Sequence, residues 1–422
     1  MLLILACAPT TLNHSDGSQS SASPDTAASP DTTVEDIGED TATEDTSVDD
    51  ITGDGNKPDD DDEVADSLFT LETVHQAEIT LSQDAVTALY SDPYTYVEAR
   101  LTFDGEELAP VALRIKGRLG SYRDLSGKPA LKIDINRYTD QTLLGLEKLN
   151  FNNMVQDGAM THERIAYALF NASGVVAPRV GYVWVTINGD DYGLYTNVEV
   201  YDDVWLKRTY DDPSGNLYDG DYHLYSNWSY DFIDFDGYSE YLFALDEGQD
   251  VNLEDIYGVT AALSATGDDF YAELDTVVDM NQFLHMWAGE AWLGHYDGYA
   301  YNDNNYRVYF DPEDGRARFH PWDPDWAFYS STPVTSPSGE LASQCWAEPG
   351  CRAAFITALD EVKQTASESG LQAQLGEAAA LIAPYVEADP RREYSASSVY
   401  ANQNAQMSWL NNRDATLENL GL

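Results

Sequence analysis

The first part of the folded chain alternates apolar and polar positions in short runs, which is the two-residue period of a strand with one buried face. Turn residues such as Asp104 and Gly105 separate the runs. Ser82 precedes a short stretch with helical spacing, where its side chain is the expected N-cap. The pattern therefore predicts strands at residues 74–81, 96–103, 111–115 and 130–135, and a helix at 82–89.

The middle of the chain adds one amphipathic helix and a further pair of strands. Residues 160–174 have helical spacing with large apolar residues on one face. A turn at Asn188 and Gly189 joins predicted strands at 180–187 and 193–200. Later segments are predicted as helices at 279–293, 353–386 and 401–420, with a Ser/Pro/Gly-rich loop at 330–352. A sheet with one helix, followed by a mainly helical half, predicts an α+β fold.

A predicted hairpin joins two clusters of polar residues in the second half of the chain. Its strands lie at 306–310 and 317–320, on either side of an Asp-Gly turn. Because a hairpin brings its two ends together, we expect Asp297 and the asparagines after it to face Asp323 and Asp325. Carboxylate and amide oxygens are the ligands that a hard divalent cation prefers. The sequence therefore predicts a cation site at this point.

The spacing around Asp297 is that of the catalytic loop of protein kinases. His295, Asp297 and Asn302 form the string H-x-D-x-x-x-x-N. In that chemistry the Asp accepts the proton of the attacking hydroxyl and the Asn holds a metal ion. A later Asp, here Asp323 or Asp325, holds metal against the nucleotide phosphates. Short Asp/Asn/Gly strings also form ordinary turns, so the spacing alone leaves both interpretations open.

Charge is distributed unevenly along the chain. The 422 residues include 74 acidic and 22 basic side chains, with a net charge of −52. Residues 8–66 contain 18 acidic residues, one lysine and no aromatic residue, which predicts a disordered, self-repelling tether. Residues 67–422 still carry 56 acidic against 21 basic residues. We therefore expect no nucleic-acid partner, because phosphate contacts need basic surface.

One basic island interrupts this acidic sequence. Eight of the 21 basic residues lie between Arg114 and Lys148, against four acidic residues. Strand alternation places Arg114 and Lys116 on one face, and the Gly-containing turn at Ser121 lets backbone N–H groups approach an anion. Lys132 lies on the returning strand. The island predicts a polyphosphate site; the alternative is an exposed sheet face that balances the acidic remainder.

The three cysteines fall at two places. Cys7 ends a short apolar stretch that resembles the end of a bacterial lipoprotein signal peptide. We expect Cys7 to be lipidated, the chain to be exported and held at the membrane of the cell envelope, and the true start to lie upstream. The alternative is an apolar N-terminus without processing. Cys345 and Cys351, close in sequence around a Pro-Gly pair, predict a disulfide in an exported chain.

Several segments, in order along the chain, resemble the CotH kinase family, a group of atypical protein kinases that are secreted or displayed at surfaces. The matching segments are 114–117 with Ser121 and Lys132, 149–152 with Arg164, 185–189 and 193–199 ending in Glu199, Asp297 with 305–309, and 321–325.

The resemblance implies a two-lobed, kinase-like α+β fold. It places a mostly antiparallel sheet in an N-lobe at residues 67–200 and a helical C-lobe at 201–422. It implies ATP and Mg²⁺ or Mn²⁺ as cofactors, with Ca²⁺ as a further candidate metal. The implied reaction transfers the γ-phosphate to Ser or Thr hydroxyls of a protein at the cell surface or in the envelope.

Roles for single residues carry over by position from the resemblance. Asp297 is the expected catalytic base, and Asp323 is the main metal ligand with Asp325 beside it. The kinase spacing favours Asn302 as the amide ligand, while the Asn-Tyr pair of the family favours Asn305. The residues assigned to the nucleotide are Arg114, Lys116, Ser121, Lys132, Arg164 and Glu199.

Two other functions would use the same residues. A catalytically inactive kinase-like protein, or a calcium-dependent surface-binding protein, would use the Asp/Asn cluster structurally. A glycosidase would pair Asp297 with Asp323 or Asp325 as its two carboxylates. Because the basic island has no role in glycoside hydrolysis, that hypothesis ranks last.

Overall fold

The first two described residues, Ala65 and Asp66, belong to the predicted tether and already contact the folded chain. The structure, a computed structural model, describes residues 65–118, 120–220, 223–225, 228–230 and 233–422. Every described residue lies within the compact unit that spans residues 56–422. Ala65 is buried, and Asp66 pairs with Arg179 at 2.5 Å. Cys7 and the tether as far as residue 64 lie outside the described residues.

Within the described residues, seven strands close into a barrel: β1 (Val74–Leu81), β2 (Val97–Phe103), β3 (Glu106–Lys116), β4 (Ala130–Asp134), β5 (Lys148–Asn152), β6 (Val180–Ile187) and β7 (Asp190–Val198). Their order is β1-β2-β3-β4-β5-β7-β6. β1 and β6 pair in parallel and the other neighbours are antiparallel. The predicted sheet is therefore mostly antiparallel, but its closure, which removes free edges, was not predicted.

Strand alternation sorts the barrel residues between its interior and its outer face. Inward residues such as Leu113, Ile115 and Leu131 are fully buried. Arg114 and Lys116 alternate with them in β3 and point to the outer face. This polar row forms part of one wall of the candidate site.

Two helices accompany the barrel strands. α1 (Gln83–Ser91) begins as predicted after Ser82, whose hydroxyl accepts the backbone N–H of Ala85 at 3.1 Å. α2 (His162–Ala172) is the predicted amphipathic helix and buries its large apolar residues on one face. Its first turn packs against the short turn at Pro324–Trp326, which brings it to the candidate site.

The second half of the chain contains strands as well as helices. The described strands are β8 (Asn216–Gly220), β9 (His223–Tyr225), β10 (Trp228–Tyr230), β11 (Phe243–Glu247), β12 (Tyr306–Asp311) and β13 (Arg316–Pro321). One antiparallel sheet has the order β11-β8-β12-β13, and β9 pairs with β10. The predicted β12–β13 hairpin is confirmed. β8 and β11 have no counterpart among the predicted strands, so this half is not purely helical.

Helices and the strands of this sheet share the largest hydrophobic cluster among the described residues. The described helices are α3 (Asp203–Thr209), α4 (Glu254–Ala262), α5 (Phe270–Leu274), α6 (Met280–Leu293), α7 (Tyr299–Asn302), α8 (Glu340–Ala347), α9 (Pro349–Glu368), α10 (Leu371–Ala388) and α11 (Ala396–Glu418). α6 is buried along almost its whole length and packs on α9, where the Trp287 and Phe355 rings stack 3.7 Å apart. None of the helices in the described part of the chain is both long and apolar enough to span a membrane.

The predicted loop at 330–352 is partly wrong. Residues from Glu340 onward form α8 and α9, and Pro349 occupies the first turn of α9, where the missing N–H of proline costs no hydrogen bond. The predicted disulfide is present: Cys345 and Cys351 are bonded, with Cα atoms 5.0 Å apart. The disulfide therefore joins two consecutive helices rather than closing a loop.

Candidate functional site

One cavity collects both predicted polar clusters. It has a volume of about 560 Å³ and lies between the outer face of the barrel and the loops at the two ends of the β12–β13 hairpin. Its lining includes Lys116, Gly117, Arg118, Gly120 and Ser121 from the barrel, and Asp297, Asn302, Asn305, Asp323 and Asp325 from the loops. The two aspartate-containing loops thus meet as the hairpin predicts, while the chemical roles of their residues stay predictions.

Asp297 is held by three asparagine side chains. Its Oδ1 accepts the Asn302 amide at 2.5 Å and the Asn304 amide at 3.3 Å, and its Oδ2 accepts the Asn305 amide at 3.0 Å. Burial raises the pKa of the Asp297 carboxyl; the asparagine donors oppose that rise and the charge of Asp323 adds to it. Asn302 and Asn305, the two candidate amide ligands, therefore orient the Asp297 carboxylate together, because each one donates to a different carboxylate oxygen.

The second loop presents two carboxylates in a tight turn. The backbone N–H of Asp323 donates to the Tyr167 hydroxyl at 3.0 Å, which ties the turn to α2. Burial raises the pKa of Asp323, and the Lys116 ammonium opposes this. Burial also raises the pKa of Asp325 far above its usual range, and the charges of Asp323 and Glu163 add to the rise. The carboxyl groups of Asp323, Asp325 and Glu163 lie close together, and the single Lys116 ammonium does not balance three negative charges.

Lys116 reaches this cluster from β3 and is held by a buried network. Its ammonium donates to Asn152 Oδ1. The Asn152 amide donates to Glu163 Oε1 at 2.5 Å, and the Thr196 hydroxyl donates to Glu163 Oε2 at 2.6 Å. Burial lowers the pKa of Lys116, against the opposing charges of Asp323 and Glu163. Burial also raises the pKa of Glu163 to about 8.

Glu163 is absent from the residues predicted for the site, although the sequence contains a signal for it. It shares the buried face of α2 with Ala166, Tyr167 and Phe170. A carboxylate on the buried face of an amphipathic helix needs polar partners, because burying an unpaired charge is costly. The position of Glu163 on the apolar face of the helix therefore indicates a buried, hydrogen-bonded carboxyl rather than an ordinary surface charge.

The basic island divides between the cavity and structural contacts. Lys116 and Arg118 line the cavity. Lys128 instead pairs with Asp389 at 2.6 Å, with both side chains fully buried. Arg123 forms a partly exposed ion pair with a glutamate of the α10–α11 connection. The polyphosphate site therefore stays a prediction for Lys116 and Arg118, and the exposed-face alternative is wrong for Lys128, which forms a buried ion pair.

Ser121 lies in the turn that follows β3. Its hydroxyl accepts the backbone N–H of Arg118 at 3.2 Å. Gly117 has a φ of +93°, and a Cβ there would lie 3.0 Å from the Ser121 Oγ. Only glycine fits this turn without strain. The turn lines the cavity, and the approach of its backbone N–H groups to an anion stays a prediction.

The family match covers the whole of this cavity. The CotH kinase protein family matches residues 113–417, which is most of the chain. This chain belongs to the CotH kinase family. The match includes both barrel and loop residues of the cavity, so the family and the site coincide in sequence.

Two curated relatives are similar over part of this CotH kinase family member. Inner spore coat protein H of Bacillus subtilis (strain 168) is 24% identical over 208 residues, covering 45% of this chain and 52% of the relative. The inner spore coat protein H-like protein of the same strain is 35% identical over 71 residues, covering 17% of this chain and 23% of the relative. The chain thus spans about half of the first relative and less of the second.

Two solved structures align over most of the chain. The Helicobacter pylori proinflammatory kinase CtkA is 10% identical, covers 75% of this chain and 87% of its own, and gives a TM-score of 0.28. The Shewanella oneidensis MR-1 toxin–antitoxin complex of HipA, HipB and operator DNA aligns at 12% identity over 80% of this chain and 72% of that chain, with a TM-score of 0.33. Both scores are too low to establish a shared fold.

Four of the nucleotide residues predicted for this CotH kinase family member do not line the cavity. Arg114 and Lys132 are cross-strand neighbours on the outer face of the barrel. Burial and the charge of Arg114 lower the pKa of Lys132 to about 8. Both lie beside the cavity wall rather than in it.

Arg164 and Glu199 lie elsewhere and make structural contacts. Arg164 donates to the backbone carbonyls of Phe69 at 2.9 Å and Val180 at 2.7 Å. Glu199 is buried and accepts from two arginines, at 2.6 Å and 2.8 Å. These contacts brace the barrel outside the cavity lining, and the nucleotide roles of the two residues stay predictions.

Arg307 lines the cavity but was not predicted for the site. Its guanidinium pairs with Asp219 at 2.5 Å and lies over the Trp322 ring, 5.1 Å from its centroid. The Lys116 ammonium lies 5.4 Å from the same centroid. Arg307 follows the asparagine loop in sequence, yet nothing in that local pattern marks it as a site residue, because Trp322 and Asp219 come from other strands and loops.

His295 and the metal candidates complete the site of this CotH kinase family member. His295 is fully buried, and burial lowers its pKa to about 3, which favours the neutral imidazole. Among the residues that the structure describes, no group of three His, Cys, Asp or Glu side chains is arranged to hold a metal ion. A metal at Asp323 and Asp325 would need ligand oxygens from asparagine or from the nucleotide as well.

Proposed function

We propose that this chain is a metal-dependent protein kinase that transfers the γ-phosphate of ATP to Ser or Thr hydroxyls of a surface or exported protein. The observation that carries the proposal is the meeting of Lys116, Asp297 and Asp323 at one cavity. These residues lie on β3, on the loop after α6 and after β13. Phosphoryl transfer needs such positioning and charge neutralisation more than it needs a strong protein nucleophile.

The donor set fits Mg²⁺ or Mn²⁺. Asp323 and Asp325 supply carboxylate oxygens, and Asn302 or Asn305 supplies an amide oxygen, which are the ligand types that hard cations take. The upward pKa shifts of the two carboxyls arise from burial, and in Asp325 also from mutual repulsion, which a divalent cation would relieve. When bound, the cation supplies charge neutralisation at the phosphate oxygens.

The chain's own groups divide the remaining work. Asp297 accepts the proton of the acceptor hydroxyl, and its raised pKa makes it a stronger base. Its asparagine partners hold the carboxylate in one orientation. Lys116 places positive charge at the phosphates, and Glu163 holds Lys116 in place through Asn152. Arg118 and the Gly117 turn add donors to the same wall.

Export of the chain fits the buried disulfide between Cys345 and Cys351. The two curated relatives are named as spore coat proteins. We propose that this kinase acts in the cell envelope, anchored through lipidated Cys7, with a protein of the envelope or surface as its acceptor and with no nucleic-acid partner.

The test uses the folded part of the chain with the tether attached. Purified wild type, Asp297→Asn and Asp323→Ala are each mixed with ATP labelled at the γ-phosphate and a degenerate Ser/Thr peptide mixture, with Mg²⁺ or Mn²⁺. The wild type should label peptide. Asp297→Asn should lose labelling yet keep the ATP-dependent rise in Tm, whereas Asp323→Ala should lose that rise as well. Labelling by Asp297→Asn at the wild-type rate would reject the proposal.

A calcium-dependent surface-binding protein is the second candidate. Crowded carboxylates around Asp323 and Asp325 would equally favour a structural Ca²⁺ ion. In the same assay, a rise in Tm with Ca²⁺ alone, together with no effect of ATP and no peptide labelling, would select this candidate over catalysis.

A further inference from the structure

A buried glutamate in α6 holds the backbone beside Asp297. Glu290 is fully buried and lies outside the cavity lining. Its Oε1 accepts the backbone N–H of Tyr299 at 3.0 Å, and its Oε2 accepts the backbone N–H of Ala300 at 2.9 Å. The ion pairs found among the described residues do not include Glu290, so these two N–H groups are its principal partners.

The two N–H groups belong to the first turn of α7, where backbone donors have no partner within the helix. The residue before this helix, Gly298, has no side chain that could cap it. A Cβ at Gly298 would lie 2.5 Å from the Glu290 Oε1 and 2.7 Å from the His295 ring. Because Gly298 has no side chain, the Glu290 carboxylate of α6 fits against this turn. It accepts the backbone N–H groups at the start of α7, as an N-cap side chain would.

The backbone carbonyl at position 290, which any residue would supply, also fixes the start of the loop. The backbone N–H of His295 donates to the Glu290 carbonyl at 2.9 Å. The loop from His295 to Ala300 is thus attached to Glu290 at both ends, with Asp297 between the attachments. Asn302, at the end of the short helix, donates to Asp297 at 2.5 Å. Displacing the helix would therefore displace this donor from the carboxylate.

We propose that Glu290 is a positioning residue for the reaction: it holds the loop so that Asp297 and Asn302 keep their mutual geometry. The proposal rests on the proposed function for its kinetic consequence, but the anchoring itself can be measured without activity. Burial without a cationic partner raises the pKa of Glu290 to about 8, which shows how unfavourable the location is for a charge. An apolar side chain there would leave two buried N–H groups without acceptors.

The first variant is Glu290→Gln, compared with wild type at a pH above the pKa of Glu290, where the carboxylate is ionised and accepts both N–H groups. Glutamine preserves the shape but offers one acceptor oxygen for two donors. Its amide N–H₂ must face one of the two backbone N–H groups. We expect kcat to fall about 10- to 100-fold, the effect of a small misplacement at a reacting centre. The KM for ATP should stay within about twofold, because Lys116 and the Asp323 turn are untouched.

The matched control is Asp202→Asn. Asp202 is also a buried carboxylate that accepts a backbone N–H at a helix start, from Trp205 at 3.1 Å, but it lies away from the cavity. This variant should lower Tm while kcat stays within about twofold of wild type. A purely structural role for Glu290 would give the same result in Glu290→Gln, and that result would overturn the proposal.

Hydrogen exchange supplies the measurement that does not need activity. In Glu290→Gln, backbone amides of residues 294–305 should exchange faster, while those in the first two turns of α6 keep wild-type protection. Gly298→Ala is a second variant that should disturb the contact between Glu290 and the start of α7, because the new Cβ would collide with the Glu290 carboxylate. Its φ of −90° is one that alanine also adopts, so any effect comes from the collision of the new Cβ with Glu290 and with the His295 ring.

The outcomes separate the two proposals. If the wild type transfers phosphate, an unchanged kcat in both Glu290→Gln and Gly298→Ala overturns the positioning role. If Glu290→Gln does not fold, Gly298→Ala carries the same expectation. If the wild type transfers no phosphate, the proposed function fails, and exchange decides alone: faster exchange confined to 294–305 supports the anchoring, and unchanged exchange overturns it.

Discussion

Lys116 and Glu163 are joined through one side chain, Asn152. The Lys116 ammonium donates to the Asn152 carbonyl oxygen, and the Asn152 amide donates to Glu163 at 2.5 Å. The three residues lie on β3, β5 and α2, so the position of the cation in the cavity depends on the packing of α2 against the barrel.

Asn152→Leu should weaken ATP binding about tenfold. The substitution keeps the volume but removes both hydrogen bonds, and a hydrogen bond to a charged group contributes about 1.5–3 kcal/mol. The control is Asn150→Leu, on the same strand and the same outer face, whose buried amide N–H₂ has no hydrogen-bond partner. Calorimetric titration with ATP and Mg²⁺ measures both. Equal affinities in the two variants would show that the Asn152 bridge does not position Lys116.

The asparagines around Asp297 should differ in their effects. Asn302→Ala and Asn305→Ala should each lower kcat about tenfold, because each removes an orienting donor from Asp297. Asn304→Ala, which loses a weaker contact at 3.3 Å, serves as the control and should stay near wild type. Titration with Mn²⁺ then identifies the metal ligand, since only its loss raises the half-saturating metal concentration. If neither does so, no asparagine holds the metal.

Asp389→Asn should destabilise the domain strongly, by about 3–5 kcal/mol, because it leaves the Lys128 ammonium buried without its counter-charge. Urea unfolding followed by tryptophan fluorescence gives this difference. Glu107→Gln, which breaks the exposed pair with Arg100, is the comparison and should change stability little. A small effect of Asp389→Asn would mean that water or a shift in protonation replaces the lost charge.

Reduction of the Cys345–Cys351 disulfide should cost about 2 kcal/mol of stability. The bond closes a short loop, with a sequence separation of 6, so it restricts the unfolded chain only modestly. The double variant Cys345→Ser with Cys351→Ser should lose a similar amount and then be insensitive to a reductant. Kinase activity should persist in both, since the cavity lining does not include α8 or α9.

Stability should fall as pH rises through the neutral range, in part because of Glu290. Burial raises its pKa from 4.5 to about 8. The folded state thus keeps the proton over a range where the unfolded state releases it. The contribution to stability is fully present below about pH 4.5 and is lost as pH rises to about 8. In Glu290→Gln the slope of unfolding free energy against pH should be less negative by up to about 1.4 kcal/mol per pH unit. Identical slopes in urea unfolding would contradict this.

The local pattern of the sequence was enough for several elements and for the position of the two loops that carry aspartates, but not for β8, β11 or α8. The Ser82 cap, the β12–β13 hairpin, the buried α6 and the Cys345–Cys351 disulfide follow from residue type and short-range spacing. The predicted β12–β13 hairpin also explains why Asp297 and Asp323 line one cavity, because a hairpin brings the two ends of its strands together. The lobe boundaries at residues 67, 200 and 201 and the lipidation of Cys7 stay predictions.

The tertiary structure alone decided which charged residues serve the cavity. Alternation places Lys116 and Lys132 on the outer face of the barrel, but it does not show which distant group each lysine meets. Lys116 found its partner 36 residues away and Lys128 found its partner 261 residues away. The closure of the barrel and the packing of α2 and of the α10–α11 connection set these pairs. For that reason Glu163 contacts the residues of the site, while Arg164 and Glu199 make contacts that stabilise the barrel.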